Sequence, residues 1–280
     1  MNQLQNYCFC TLAIGHKYRQ LASLLAEDIR KYAPNKKFFI LTDKAEFFKN
    51  YDNVITQNYK PISVKFYNDK RLVIQYCLEQ FESCVYLDAN IRIVDKVPDE
   101  LNFCEGIVAY SCCSIVKHNT RKRINNQLEK IKKVCSALEL DVDKVKFVHE
   151  HCFYVSKNER LDSFLKYWEK LANYFENYGF YAGEGNWIGI ASAKADFPIY
   201  YDYDKKLTLF KDNIQLVRKK KKQKTIDNLE YYLDIQRQIE YPKRSVIQKI
   251  INKLMQKYGV FYRLIKLKMR SKFNEFESID

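Results

Sequence analysis

Glycine and proline are scarce in this 280-residue chain, with 7 and 5 copies, and tryptophan occurs only twice. Such a composition excludes a low-complexity or linker-rich protein, so most of the chain is expected to be ordered. No glycine-rich loop carrying the expected lysine is present, which removes the usual signature of a nucleoside triphosphate cradle. No apolar run approaches the roughly 20 residues needed to cross a bilayer. The opening residues Met1 to Asn6 lack the basic-then-apolar pattern of a secretory signal. The 9 cysteines include no Cys-x-x-Cys pair. Cys8, Cys10, Cys84 and Cys152 lie in apolar runs, where a thiol behaves as a small hydrophobe. A reduced, cytoplasmic chain without structural zinc is expected.

What is present is apolar and aromatic: 47% hydrophobic and 15% aromatic residues, enough for one large domain or a domain with an appendage. Charge is unevenly placed. Between Lys205 and Lys272 there are 20 Lys and Arg against 5 Asp and Glu, a balance of +15, while the whole chain carries +14. The rest is close to neutral, which predicts a body over 1–215 and a basic helical extension over 216–280.

Strand and helix patterns alternate along the body. Tyr7–Ile14 reads as a buried strand, and Leu21, Leu24, Leu25 and Ile29 recur at helical spacing from His16 until Pro34. Strands follow at Lys37–Leu41 and Val54–Thr56, around a short helix at Ala45–Asn50. A helix over Asp69–Phe81 then leads to a strand at Cys84–Leu87. This order predicts βαβ units and a mostly parallel sheet flanked by helices. Ligands in such sheets bind beyond the carboxyl ends of the strands. Thr11, Ala13, Asp43, Asp88 and Asn90 all fall near those ends.

The richest stretch is Ser83 to Asp95, where Asp88-Ala89-Asn90 follows the apolar strand. Asp88 and Asn90, two apart in extended chain, share a side. A carboxylate with an amide oxygen suits a hard divalent cation that also carries phosphates. Strands are expected next at Gly106–Cys112 and Phe147–Val155, with the basic stretch Lys117–Arg123 and a helix over Ile124–Leu138 between them. Alternation within 147–155 puts His149 and His151 on one face and Glu150 on the other. The histidines suit a metal pair, an acceptor-binding pair, or polar residues at a cleft edge. After an amphipathic helix over Leu161–Phe175, the run from Tyr178 to Trp187 joins three glycines to Glu184, Asn186 and several aromatics. Glycine admits close backbone approach to a ligand. A carboxylate at the start of the next helix equally favours the helix dipole. Strands at Phe197–Tyr201 and Leu207–Phe210 close the body.

Taken in order over residues 6 to 215, these pieces resemble the GT-A glycosyltransferases, whose Asp-x-Asp strand end matches Asp88-Ala89-Asn90. The resemblance implies a GT-A, Rossmann-like α/β fold and transfer of sugar from a nucleotide-diphosphate sugar to an acceptor hydroxyl. It implies donor binding by Thr11, Leu12, Ala13, Tyr18, Lys70, Arg71, Asp88, Ala89 and Asn90. A divalent ion, Mn²⁺ or Mg²⁺, would sit on Asp88 and Asn90, weakened by the missing second carboxylate. Gly183-Glu184-Gly185-Asn186 is similar to the place where blood-group-type transferases carry a reaction-centre glutamate, without the preceding Asp. Glu184 is thus the first catalytic candidate, with Glu150 and His149 behind it, and His151, Asn186 and Trp187 are acceptor-binding candidates.

The extension carries the basic run Arg218–Lys224, a helix over Thr225–Gln238, and a final segment, Ser245–Phe273. There Val246, Ile247, Ile250, Ile251, Leu254, Met255, Tyr258, Phe261, Tyr262 and Ile265 form a stripe interleaved with Lys and Arg. Such a helix fits peripheral contact with an anionic membrane over 245–273, beside a glycan or lipid-linked acceptor in surface-glycan synthesis. It equally fits packing on the body. The rival classes are a nucleic-acid-binding protein using the basic tail and a sugar nucleotidyltransferase. Basicity confined to the tail and the absence of any recognition motif argue against the first.

Overall fold

The computed structural model describes residues 6–101, 103–122 and 126–270. Ile124, the expected start of one helix, and Ser271 to Phe273, the expected end of another, lie outside the described residues, as do Met1 to Gln5. The chain runs β1 (Tyr7–Ala13), α1 (His16–Tyr32), β2 (Phe38–Thr42), β3 (Val54–Asn58), α2 (Lys70–Gln80), β4 (Ser83–Leu87), β5 (Arg92–Ile93), β6 (Gly106–Ala109) and β7 (Cys112–Ser114). It continues through α3 (Ile115–Lys122), α4 (Gln127–Ala137), β8 (Lys146–Val148), β9 (Cys152–Ser156), α5 (Leu161–Asn177) and α6 (Glu184–Lys194). The last elements are β10 (Ile199–Tyr201), β11 (Leu209–Phe210), α7 (Asp212–Lys220), α8 (Leu229–Glu240) and α9 (Val246–Arg270).

Seven strands form the central sheet in the order β10-β6-β9-β4-β1-β2-β3. All are parallel except β9, which runs against both β4 and β6. The expected α/β architecture, a mostly parallel sheet flanked by helices with a helical C-terminal part, is what forms. Period-two alternation assigns the two faces. Phe9, Phe38, Ile40, Val85 and Leu87 meet Leu21, Leu25 and Ile29 of α1. Cys8, Cys10, Phe39, Leu41 and Cys84 meet Val73 and Ile74 of α2, Phe164 and Trp168 of α5, and Trp187 of α6. Each fully buried Leu, Ile or Phe on these helices contributes about 2 kcal/mol. The four cysteines read as small hydrophobes, Cys8, Cys10, Cys84 and Cys152, are 0% exposed.

The strand order reverses at β1 and β4, which leave for opposite sides of the sheet. In such sheets the crevice for a ligand lies beyond the carboxyl ends of the strands at that reversal. The Thr11 hydroxyl ties them by donating to Leu87 O at 2.6 Å.

Several expected elements differ. The strand expected over 147–155 is two strands, β8 and β9, in different sheets, separated by a turn at Glu150 and His151. The strand expected over 106–112 likewise stops at Ala109, and Cys112–Ser114 pairs with β8 in a separate two-stranded sheet. Much of the basic stretch after it is helical, as α3. The run from Arg218 begins inside α7.

Candidate active site

At the crevice, Lys70 sits in the first turn of α2 with its side chain only 5% exposed. Its Nζ lies 2.8 Å from Asp88 Oδ1, at the end of β4, and 2.6 Å from Glu184 Oε1, the first residue of α6. It also donates to Glu150 O at 3.3 Å. The second Asp88 oxygen, Oδ2, accepts from Lys211 Nζ at 3.0 Å, just past β11. Two ammonium groups and three acidic residues therefore meet where β1 and β4 diverge.

Local sequence explains how Glu184 arrives there. Gly183 takes φ 98, a left-handed conformation that suits glycine, and α6 starts at the next residue. A Cβ on Gly185 would stand 2.0 Å from Val148 O, and one on Gly189 1.7 Å from Lys146 O. The glycines thus let α6 lie directly on β8. The backbone they admit is a strand's rather than a ligand's. Asn186 is 1% exposed; its Nδ2 donates to Gly183 O and its Oδ1 accepts from Asn119 Nδ2 at 2.7 Å. Trp187 is 0% exposed and stacks on Phe175 at 3.7 Å. Neither reaches an acceptor, which corrects that expectation: a tryptophan on the inner face of a helix is core.

The turn between β8 and β9 overturns the expected opposition of Glu150 to its histidines. It sets Glu150 close enough to Glu184, Lys70 and Asp88 for their charges to act on it. Burial first, then Glu184, push its carboxyl up to about 7 against the pull of Lys70. Burial, aided by Lys211, lowers His151 to about 4, so its imidazole is neutral at pH 7. Burial works against ionisation of Asp88, but Lys70 and Lys211 win and hold it well below the usual carboxylate range. The Lys70 ammonium, opposed by burial, is held well above its usual value by Asp88 and Glu184. His149 precedes this turn, its backbone N–H donating to Ser111 O at 2.9 Å, its ring edge-on to Phe147 and 6.3 Å from the ring of His151.

Among the donor candidates, Thr11 and Ala13 are 0% exposed, Ala89 is 4% exposed and Leu12 packs against the core. Their side chains are largely enclosed, and the Thr11 hydroxyl serves β4. Arg71 turns away, pairing with Glu169 of α5 at 2.5 Å. Tyr18, 36% exposed, lies near Asp88 and near Tyr67, which is 40% exposed. Burial first, then Tyr67 and Asp88, push the Tyr18 phenol up to about 12. Phe66 takes φ 70, a strained conformation for a bulky residue. Arg263 of α9 holds that segment by donating to Val64 O at 2.8 Å and lying 4.4 Å from the Phe66 ring centroid.

The expected metal ligands do not form a fitting donor set. Both Asp88 oxygens face lysine ammonium groups. Asn90 Nδ2 donates to Glu240 Oε1 at 3.1 Å, and Asn90 O accepts from Gln236 Nε2. A hard divalent ion needs several oxygen ligands around it, whereas positive charge already occupies Asp88. The ion expected on Asp88 and Asn90 is thus not supported by this arrangement, in which the lysines pair with the carboxylate. Lys211, Tyr67, Gln236 and Glu240 were not foreseen; each lies far in sequence from Asp88-Ala89-Asn90 or in an irregular segment.

No family model matches the chain, and no curated protein does. Among solved structures, the chain is similar to the galactosyltransferase LgtC in complex with donor and acceptor sugar analogs. That similarity spans 69% of this chain and 72% of LgtC, with 11% sequence identity and a TM-score of 0.42.

Proposed function

We propose that this protein transfers a glycosyl group from a nucleotide-diphosphate sugar to an acceptor hydroxyl, with the GT-A-like catalytic unit over 1–215 and a basic helical extension over 216–280. The observation that carries this reading is Lys70 bridging Asp88 and Glu184 at the strand-order reversal, with Lys211 on the other Asp88 oxygen. That is positive charge, held in place, where a diphosphate would enter an α/β sheet.

In the reaction, the bond from the anomeric carbon to the diphosphate oxygen breaks, and the leaving group departs with the electron pair. Lys70 and Lys211 face the charge that develops there. Glu184, held by Lys70, presents its carboxylate to the positive charge on the sugar. The acceptor hydroxyl attacks the anomeric carbon and gives its proton to Glu150, whose position near 7 suits a general base at neutral pH. His151, neutral and close to Asp88, binds the acceptor. Tyr18 and Tyr67 flank the donor at the mouth. No step needs a metal ion.

We further place the protein in the cytoplasm, at the membrane surface, acting on a lipid-linked acceptor in surface-glycan synthesis. Among the described residues no helix is long and apolar enough to cross a membrane. All ten residues of the α9 stripe face solvent, from Ile265 at 40% to Val246 at 71% exposed. An outward apolar stripe set among lysines suits an anionic bilayer surface better than packing on the body.

A thermal-shift panel of nucleoside diphosphates and their sugars tests the central reading. Ligands that bind the folded state raise the melting temperature, so the true donor stands out. Pyrophosphate release from a nucleoside triphosphate and a sugar phosphate, with no response to any diphosphate sugar, would overturn transfer in favour of nucleotidyl chemistry. DNA retention with no nucleotide response would overturn both.

A further inference from the structure

Beside the active site, and independent of the reading above, three side chains from separate elements converge. They are Cys113 on β7, His118 on α3 and His149 just after β8. One ligand atom from each, a thiol sulfur and two imidazole nitrogens, lies within 4.8 Å of the others. We propose that Cys113, His118 and His149 bind a transition-metal ion of the zinc type.

The backbone brings them together. Cys113 pairs with Phe147 in the antiparallel ladder of β7 and β8, and His149 N–H donates to Ser111 O at 2.9 Å, prolonging it by one more bond. Residues two apart share a face of extended chain, so Cys113, Phe147 and His149 lie on one side. α3 starts immediately after β7, and its first turn delivers His118. Phe147 then orients both rings: His118 lies flat on it at 3.4 Å and 13°, while His149 meets it edge-on at 5.0 Å and 87°. The imidazoles stand 76° apart with centroids 5.6 Å apart, so they approach a common point from different directions.

The donor chemistry selects the ion. One sulfur and two imidazole nitrogens, without a carboxylate, suit zinc and its neighbours rather than magnesium or calcium. Ligand atoms around tetrahedral zinc stand about 3.5 Å apart, so the widest gap closes by about 1 Å. His118 is 9% exposed, while Cys113 and His149 are half-buried. The cluster therefore has a solvent side for entry and for a fourth ligand such as water. The ion would clip the turn bearing Glu150 to α3, whose Asn119 holds Asn186 beside Glu184. Its role is to position these elements, and the scattered cysteine spacing conceals it.

Cobalt titration of the full-length chain tests this. One equivalent of Co²⁺ is expected to give a near-ultraviolet sulfur-to-metal band with tetrahedral visible bands, and Zn²⁺ to displace it and raise the melting temperature. Cys113→Ser should abolish the sulfur band, and His149→Gln should weaken binding at least tenfold. Cys104→Ser, at an exposed thiol elsewhere, should change neither. Circular dichroism of each variant verifies that it folds. No saturable band, or a band that survives Cys113→Ser or vanishes with Cys104→Ser, overturns the site. Nucleotide-sugar binding by zinc-free protein leaves the proposed activity standing whatever the cobalt result.

Discussion

Glu150→Gln removes the half-buried carboxyl that burial, reinforced by Glu184, pushes from 4.5 up to about 7. Such a group binds its proton more tightly in the folded chain than in the unfolded one. Its contribution to stability is complete below pH 4.5 and is lost as pH rises to 7, because only the unfolded state has then released the proton. At about 1.4 kcal/mol per pH unit, that loss is about 3 kcal/mol, and partial exposure reduces it to about 2 kcal/mol. Glutamine keeps the shape without the titration. The variant should match the wild type near pH 4.5 in urea unfolding and gain about 2 kcal/mol on it by pH 8. Turnover should move the other way. Wild-type kcat/KM should climb with pH through about 7 as Glu150 becomes able to accept a proton. In Glu150→Gln that limb should vanish and the rate fall by about 100-fold or more. A wild-type rate that is level from pH 6 to 8, or a variant that is active but no more stable at pH 8, would refute the reasoning.

Lys211→Met should lower kcat by about 100-fold, the loss of about 2.7 kcal/mol of transition-state stabilisation. Asp88 keeps Lys70, so its melting temperature should change little; a rate within threefold of wild type removes Lys211 from the chemistry. In the same assay, added Mn²⁺ or Mg²⁺ should leave wild-type turnover unchanged if the lysines meet the leaving diphosphate as proposed, and a rate that depends on either ion would contradict that assignment. Flotation with vesicles should recover the protein on phosphatidylglycerol and not on phosphatidylcholine alone, each lysine near the surface adding about 1 kcal/mol. Retention undiminished by changing Lys249, Lys253 and Lys257 to glutamine would show that the α9 face is not the contact.

The sheet was largely legible because its evidence is local. The continuous apolar run Tyr7-Cys8-Phe9-Cys10, buried on both faces of the sheet, and the helical spacing from Leu21 to Ile29 are written in neighbouring residues. Asp88 was legible for the same reason: a polar pair ends an apolar strand. The break at Glu150 was not, because Phe147 to Val155 holds no glycine or proline to mark a turn and is rich in strand formers. Lys211 reaches Asp88 across 123 residues, and nothing near it distinguishes it from the other basic residues of the tail. Arg71 and Trp187 failed for a subtler reason. An arginine beside Lys70 has the right chemistry, but helical geometry turns adjacent residues about 100° apart, so Arg71 meets Glu169 of α5. Trp187, three residues past Glu184, is taken up by stacking on Phe175 in the core, a partner distant in sequence.

If Lys70 and Lys211 meet a diphosphate as proposed, the disposition of charge explains why carboxylates accompany them. An unpaired ammonium as buried as Lys70 would carry a large desolvation penalty or lose its proton. Asp88 and Glu184 keep it charged and aimed. An entering diphosphate need not recruit positive charge from solvent; it exchanges with carboxylates for cations already in place, and Asp88, 23% exposed, can turn toward water. Glu184, 3% exposed, cannot, and in the proposed reaction it stays beside the sugar. The same displacement leaves Glu150 under less influence from Lys70, the neighbouring charge that favours its ionisation most. Donor binding should therefore raise the base above its position in the free protein, making it a stronger base that loses its own proton only at higher pH. That couples the two half-sites through a single ammonium group. It predicts that the kinetic limb in kcat, which reports the donor complex, lies at higher pH than the limb in kcat/KM, which reports the free protein.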